Sequence, residues 1–149
     1  MNPEARLEGF IARFNDDIAD QARAAIASLR RRLPGAVSPV YDNYNALAVG
    51  FGPTEKAGDI VFSIAVYPRW VSLFLSGGPA LDDPHGLLKG EGSRVRHIVL
   101  TDTALLDDPR VRALMDQALA RSPRPIDPSA PNKTVIKSVS AKQRPRRPG

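Results

Sequence analysis

Residues 59–78 read DIVFSIAVYPRWVSLFLSGG, and they indicate the architecture of the chain. Two segments rich in Val, Ile, Leu and Phe, 59–67 and 71–77, are separated only by Pro68-Arg69-Trp70, and a Gly-Gly pair at 77–78 marks the end of the second. Apolar segments bounded by proline and glycine in this way predict β-strands. Because so short a connection cannot cross over to a parallel neighbour, the two strands are predicted to form an antiparallel hairpin.

The first strand of this hairpin carries apolar side chains on both of its faces. Alternate positions place Ile60, Phe62, Ile64 and Val66 on one face and Val61, Ala65 and Tyr67 on the other. Strands that are apolar on both sides are typical of the interior of a sheet. This strand is therefore predicted to be central and to be covered, at least partly, on both faces.

More strand-like segments lie on either side of the hairpin. They cover residues 36–41, 47–52 and 94–100, and residues 134–138 are predicted to add one edge strand. Turn signals such as Asp-Asn and Gly-Pro separate the earlier segments. The short gaps predict an antiparallel sheet of about five to six strands.

Helices are predicted at both ends of the strand region. Apolar residues recur at spacings of three and four in the first third of the chain, which predicts helices over 4–14 and 16–32. Asn15 is expected to cap the second helix, and Asp108-Pro109 marks the start of a C-terminal helix. We expect an α+β fold, with N-terminal helices and a C-terminal helix packed on one face of the sheet.

Charge is distributed unevenly along the 149 residues, which include 21 basic and 16 acidic side chains, two His and no Cys. The lack of cysteine excludes disulfides, cysteine-ligated metals and thiol nucleophiles. Six basic and no acidic residues lie within 132–149, which leaves 15 basic against 16 acidic residues elsewhere. We expect one α+β domain over 1–131, followed by a basic extension over 132–149 that is partly disordered.

The sequence predicts a cytoplasmic protein that does not associate with membranes. Its longest apolar runs, near residues 60–67 and 71–75, are far shorter than the roughly 20 residues that a membrane-spanning helix requires. The first 14 residues alternate charged and apolar side chains, unlike the continuous apolar core of a secretion signal.

Three motifs of this chain resemble a known family. They read YDNYNAL at 41–47, YPRWVSLF at 67–74 and LLKGEGSRVRHI at 87–98. In this order they look like the YdhG-like family, and the tail over 135–148 is similar to that of one bacterial subgroup. The resemblance implies a single α+β domain with an antiparallel sheet and flanking helices. Some relatives are described as frataxin-like iron chaperones, so the resemblance also implies iron binding through carboxylates.

The glycine-flanked segment KGEGSR at 89–94 is the strongest local candidate for a ligand site. Its backbone N–H groups and two cationic side chains would hold an anion, whereas the alternative is a tight turn that leads into a strand. Aromatic residues at the predicted strand ends would line a pocket with polar handles. We expect an aromatic and basic pocket for an anionic or small polar ligand. Its predicted residues are Tyr44, Trp70, Lys89, Gly90, Gly92, Arg94, Arg96 and His97.

Binding is favoured over catalysis, because the sequence has no nucleophile elbow and no evident Ser–His–Asp set. The iron-chaperone alternative would use Asp16, Asp17 and Asp20 in the second predicted helix. A third alternative is an adaptor that contacts nucleic acid without sequence specificity, or an acidic partner, through the basic extension. Its candidate residues are Lys137, Lys142, Arg144, Arg146 and Arg147. The sequence is compatible with a monomer and with a homodimer, and it identifies no cofactor.

Overall fold

The computed structural model describes residues 1–148 and confirms the α+β class. Within these residues, three α-helices accompany one six-stranded sheet. The elements are α1 (Pro3–Ile11), α2 (Asp16–Arg32), β1 (Val37–Asp42), β2 (Leu47–Phe51), β3 (Phe62–Val66), β4 (Val71–Ser76), β5 (Val95–Val99), α3 (Pro109–Arg121) and β6 (Lys133–Val139).

The strands follow the order β5-β4-β3-β2-β1-β6 across the sheet, so that the quoted hairpin, β3 and β4, lies near its middle. The pairs from β1 to β5 are antiparallel, as the short connections predict. The outer pair β1–β6 is parallel, so the sheet is mixed rather than purely antiparallel. Parallel pairing is possible there because β6 reaches the edge by a long connection that includes α3.

One face of the sheet forms the hydrophobic core against the helices. Leu47, Val49 and Phe51 of β2 lie opposite Val66, Ile64 and Phe62 of β3, and all six side chains are fully buried. Helix α2 contributes its small and branched residues to the same cluster, and α1 and α3 complete it. Each of these large apolar side chains contributes about 1.5–3 kcal/mol when it is fully removed from water.

The opposite face, here called the open face, contributes much smaller side chains. Ala48, Ser63 and Ala65 alternate with the core residues of β2 and β3, and they line a surface depression. Strand β3 is central, as predicted. Its open face is partly covered, as expected, because Ala65 is 5% exposed and Ser63 is half-buried. Only the face with large residues provides a core for the helices.

The helix ends agree with most of the predicted signals. Helix α1 ends at Ile11 rather than at residue 14, and Asn15 occupies the N-cap position of α2 without a side-chain cap hydrogen bond. The Asp108 carboxylate caps α3 by accepting a hydrogen bond from the Arg110 backbone N–H. Hydrogen bonds from the side chain and backbone of Arg110 lower the pKa of Asp108 to about 2.

The C-terminal segment differs from the expected domain boundary at residue 131. Strand β6 lies beyond that boundary and belongs to the sheet, and residues 140–148 continue along its end. The Ser140 N–H donates to the Asp42 carbonyl at 2.9 Å, and the Arg144 N–H donates to the Tyr44 carbonyl at 2.9 Å. These bonds give fixed backbone partners to a segment whose proline and arginine content predicts disorder. The part of that prediction that concerns Gly149 lies outside the described residues.

None of the described helices combines the length and apolar character needed to cross a bilayer.

Candidate functional site

Two tight turns lie side by side at one end of the sheet. The Asn43 N–H donates to the Ala46 carbonyl at 3.0 Å and closes the β1–β2 turn. The Tyr67 N–H donates to the Trp70 carbonyl at 2.9 Å and closes the β3–β4 turn around Pro68-Arg69. Because β2 and β3 are antiparallel neighbours, both turns project from the same end of the sheet.

Aromatic side chains project from both turns. The Tyr67 and Trp70 rings stack with their centroids 4.7 Å apart and an angle of 19° between their planes. Trp70 remains 41% exposed and Tyr44 remains 49% exposed, which is unusual for side chains of this size. Burial raises the pKa of Tyr67, so its hydroxyl stays protonated and able to donate well into the alkaline range.

The C-terminal segment passes beside these turns and closes a groove, here called the arginine groove. Its volume is about 560 Å³, and it is lined by Asn45, residues 67–70, Arg144, Pro145, Arg147 and Pro148. Its charged residues are Arg69, Arg144 and Arg147, and no acidic side chain of the described chain lines it. The Arg144 guanidinium lies 5.6 Å from the centre of the Tyr44 ring, within the range of a cation–π contact.

The groove continues onto the open face as a shallow trough of about 600 Å³. Asn45 and Tyr67 line both depressions, so the two are contiguous. The floor of the trough is formed by the small residues of β2 and β3, and Phe74 forms one side. A bound molecule would therefore contact apolar and neutral groups in the trough and positive charge in the groove.

A buried ion pair holds the C-terminal wall of the groove in place. Arg146 is 3% exposed, and its guanidinium donates to the Asp42 carboxylate at 2.8 Å and to the Asn43 carbonyl at 2.6 Å. It also lies 5.7 Å from the centre of the Phe14 ring. The same segment thus contacts the β1–β2 turn and the connection between α1 and α2. Arg146 positions the groove and does not line it.

The structure separates the sequence-predicted pocket residues into two groups. Tyr44 and Trp70 lie beside the arginine groove. The glycine-flanked segment and β5 form the second group at the far edge of the sheet. Arg94 is near the opposite end of β4, because its carbonyl accepts from the Gly77 N–H at 2.8 Å. The rise along a strand puts that position about 20 Å from Trp70.

The glycine-flanked segment has the geometry of a turn that is bonded to β5. Lys89 and His97 exchange backbone hydrogen bonds of 2.8 and 3.0 Å, and Gly90 has the positive φ of 99° that favours glycine. The Arg96 side chain donates to the carbonyls of Gly90 and Gly92 at 2.9 and 3.0 Å. These carbonyls face a cation of the protein itself, an arrangement opposite to the ring of N–H groups that holds an anion.

The other predicted residues lie in several environments. His97 is half-buried on the open face, with its ring centroid 5.1 Å from that of Phe74. Of the basic extension, Arg144 and Arg147 line the arginine groove, whereas Arg146 is buried. Lys137 forms an ion pair with Glu55 at 3.4 Å, and Lys142 is exposed.

The predicted pocket left out several residues that line this groove, among them Asn45 and Arg69, although Tyr67 belongs to the aromatic residues that were expected near strand ends. The available signal was the turn motif 67–70, which places an arginine at the tip of a hairpin between two aromatic residues. Sequence reasoning also treated the basic extension and the aromatic turns as separate candidates. Only the three-dimensional path of residues 140–148 brings them together.

The carboxylates considered for iron serve local roles in the structure. Asp16 and Asp17 lie in the first turn of α2, where negative charge favours the helix dipole, and Asp20 pairs with Arg23 at 3.0 Å. Within residues 1–148, no group of three or more His, Cys, Asp or Glu side chains is arranged to hold a metal ion.

The fold and the site together define an α+β domain with one helix-covered sheet face and one open face that is bordered by aromatic and arginine side chains. None of the family models, curated proteins or solved structures that were compared with the chain matches it.

Proposed function

We propose that this protein is a small non-enzymatic binding domain that recognises an anionic ligand in the arginine groove. The observation that supports this proposal is the composition of the groove, in which three arginines and an exposed tryptophan converge without an acidic residue among the described lining. Concave sites that are mostly apolar and carry a few convergent polar groups are typical of ligand recognition.

The side chains define the chemistry of the ligand. Planar guanidinium groups bind phosphate or carboxylate oxygens through pairs of parallel hydrogen bonds. The exposed face of Trp70 offers a surface for a flat ring, since Tyr67 already covers the other face. The ligand is therefore proposed to combine an anionic group with a planar ring.

This proposal moves the predicted pocket toward the C-terminal segment. It keeps Tyr44 and Trp70, adds Arg69, Arg144 and Arg147, and leaves the glycine-flanked segment outside the site. Membership in the YdhG-like family and a cytoplasmic location remain part of the proposal. Two of the motifs that carry the resemblance, 41–47 and 67–74, contain the turns that border the groove.

A fluorescence titration tests the proposal directly, because Trp70 is the only tryptophan of the chain. The probes are ATP, which carries both the anionic group and the planar ring, tripolyphosphate, which carries only the charge, and adenosine, which carries only the ring. ATP is expected to change the Trp70 emission at lower concentration than either partial probe does. The double variant Arg144→Ala, Arg147→Ala should weaken ATP binding by about tenfold or more, because hydrogen bonds to charged groups contribute about 1.5–3 kcal/mol each.

The matched control removes two charges elsewhere on the surface. Arg31 and Arg124 are exposed and form no ion pair among the described residues. The variant Arg31→Ala, Arg124→Ala should bind ATP like the unmodified protein. Equal losses of ATP affinity in both double variants would show that only the net charge matters. The proposal would also be overturned if millimolar ATP did not change the Trp70 emission.

A further inference from the structure

We infer that the ligand of the open face is a single-stranded nucleic acid, a few nucleotides of which lie across the sheet. This inference rests on the proposed function, because the arginine groove forms one end of the surface that the strand would occupy. It extends the site from the groove to Arg94, which the proposed function does not use.

The first observation is that three depressions form one continuous path, here called the track. The arginine groove meets the trough at Asn45 and Tyr67, and the trough meets a third depression of about 350 Å³ at Phe74 and Val95. Arg94 lines that third depression at the opposite end of the sheet. Each depression alone has the size of an ordinary small-molecule site. A path of three such sites fits an elongated ligand better than a compact one.

The second observation is the charge along the track. Its charged side chains are Arg69, Arg144 and Arg147 at one end and Arg94 at the other. No carboxylate of the described residues lines any of the three depressions. The body of the chain is otherwise nearly balanced in charge, so a path lined only by positive charge is a specific feature of this face. A ligand with negative charge repeated along its length complements this pattern.

The third observation is the placement of the aromatic rings. Trp70 presents one free face at the groove, and Tyr44 lies exposed beside it. Further along the track, Phe74 lies in the walls of two depressions and packs against His97. Rings spaced along a positively charged surface are the arrangement on which successive bases of a single strand stack. On open sheets, two or three bases are commonly held in this way.

These features favour a nucleic acid strand over an acidic peptide. An acidic peptide would use the arginines but has no repeating flat ring to match Trp70 and Phe74. A duplex would also use the arginines, but its bases are paired and hidden from the rings. We therefore expect little sequence preference and a clear preference for single strands over duplexes.

Fluorescence anisotropy of labelled oligothymidylate and oligouridylate octamers tests the inference on the full chain. At least one octamer is expected to bind about tenfold more tightly than ATP does. Its affinity should fall with rising salt, with a logarithmic slope of about −2 to −3, because single strands give about −0.7 for each phosphate neutralised. Oligonucleotides of both sugar types are included, so that a difference between their affinities would show whether the 2′-hydroxyl contributes to binding.

Two variants separate the track from the groove. Arg94→Ala should weaken octamer binding by about fivefold or more, and should weaken it more than it weakens ATP binding. Phe74→Leu should weaken octamer binding in the same manner. Urea unfolding of this variant checks that it is folded. The control Arg31→Ala, Arg124→Ala should bind the octamer like the unmodified protein.

The outcomes distinguish this inference from the proposed function. If ATP binds through the groove and the octamer binds no more tightly, the inference is overturned and the proposed function stands. If polyglutamate competes as well as the octamer, the occupant is an acidic peptide and the inference is overturned. If neither ATP nor the octamer responds to the groove variant, both proposals fail.

Discussion

The environment of Arg146 in the folded chain differs from the one that its neighbours in the sequence predict. In the sequence it lies among prolines and arginines, a composition typical of a solvated tail. In the structure its charge is removed from water and balanced by Asp42, with the Phe14 ring beside it. A buried charge of this kind is tolerated only when it is paired and hydrogen-bonded. Nothing in the local sequence identifies Asp42, 104 positions away, as the partner.

The first prediction concerns this ion pair. Arg146→Ala leaves the Asp42 carboxylate buried without its closest cation, so the free energy of unfolding should fall by about 3–5 kcal/mol. The measurement is urea unfolding at neutral pH. Lys142→Ala removes the same charge from an exposed position in the same segment and should change the free energy by less than about 0.5 kcal/mol. Similar small losses in both variants would show that the buried pair contributes nothing.

Single residues also explain why the site was only partly predictable. Tyr44 and Trp70 could be identified because aromatic residues in tight turns have few ways to be buried. The glycine-flanked segment is predicted to bind an anion because its glycines and cationic side chains can be identified from the local sequence. The direction of the Gly90 and Gly92 carbonyls, toward Arg96, depends on the path of β5 and has no local signal.

At the scale of elements, the pairing of strands that are close in the sequence could be predicted, whereas the parallel pairing of β1 with β6 could not. The hairpin of β3 and β4 follows from two apolar segments that are separated by only three residues, 68–70. The edge strand β6 was predicted, but its parallel pairing with β1, including the register shift between Val40 and Tyr41, depends on everything that folds in between. That pairing directs residues 140–148 toward the aromatic turns. The groove therefore could not be derived before the order of the strands was known.

A small polar network connects β6 to both N-terminal helices. The Glu4 carboxylate of α1 accepts hydrogen bonds of 2.8 and 3.0 Å from Arg30 of α2. Thr134 of β6 donates to the same carboxylate, and Arg30 also donates to the Thr134 hydroxyl at 3.0 Å. Partial burial alone would raise the pKa of Glu4, but these hydrogen bonds outweigh it and hold the pKa below its usual value.

The second prediction is the pH dependence that this network causes. Because the pKa of Glu4 is lower in the folded chain, the unfolded chain binds more protons at acidic pH. The contribution of Glu4 to stability is therefore complete above the unfolded pKa, near 4.5, and is lost as the pH falls below it. Glu4→Gln should reduce the difference in urea midpoint between about pH 6 and pH 3. Glu91→Gln, an exposed carboxylate outside any ion pair of the described residues, should leave that difference unchanged. Equal pH profiles for the unmodified chain and Glu4→Gln would contradict the prediction.

On the scale of the whole molecule, the two faces of the sheet serve different purposes. The helix-covered face contains nearly all of the large buried side chains, and it supplies most of the free energy of folding. The open face carries small residues and exposed rings, so it adds little to stability and leaves space for a ligand. Residues 140–148 contribute to both stability and the site. Arg146 forms the buried ion pair with Asp42, whereas Arg144 and Arg147 line the arginine groove.

The last prediction uses this double role of the C-terminal segment. Deleting residues 141–149 removes the partner of Asp42 and one wall of the arginine groove together. The free energy of unfolding should therefore fall by at least the loss in Arg146→Ala, about 3–5 kcal/mol, and ATP binding should disappear. The comparison variant Arg69→Ala, Trp70→Phe changes only exposed groove side chains, so it should lose ATP affinity by calorimetry while its unfolding free energy changes by about 0.5 kcal/mol or less. A truncated chain that lost ATP binding but kept its full stability would contradict the structure, because the segment would then be a free arm rather than a part of the folded domain.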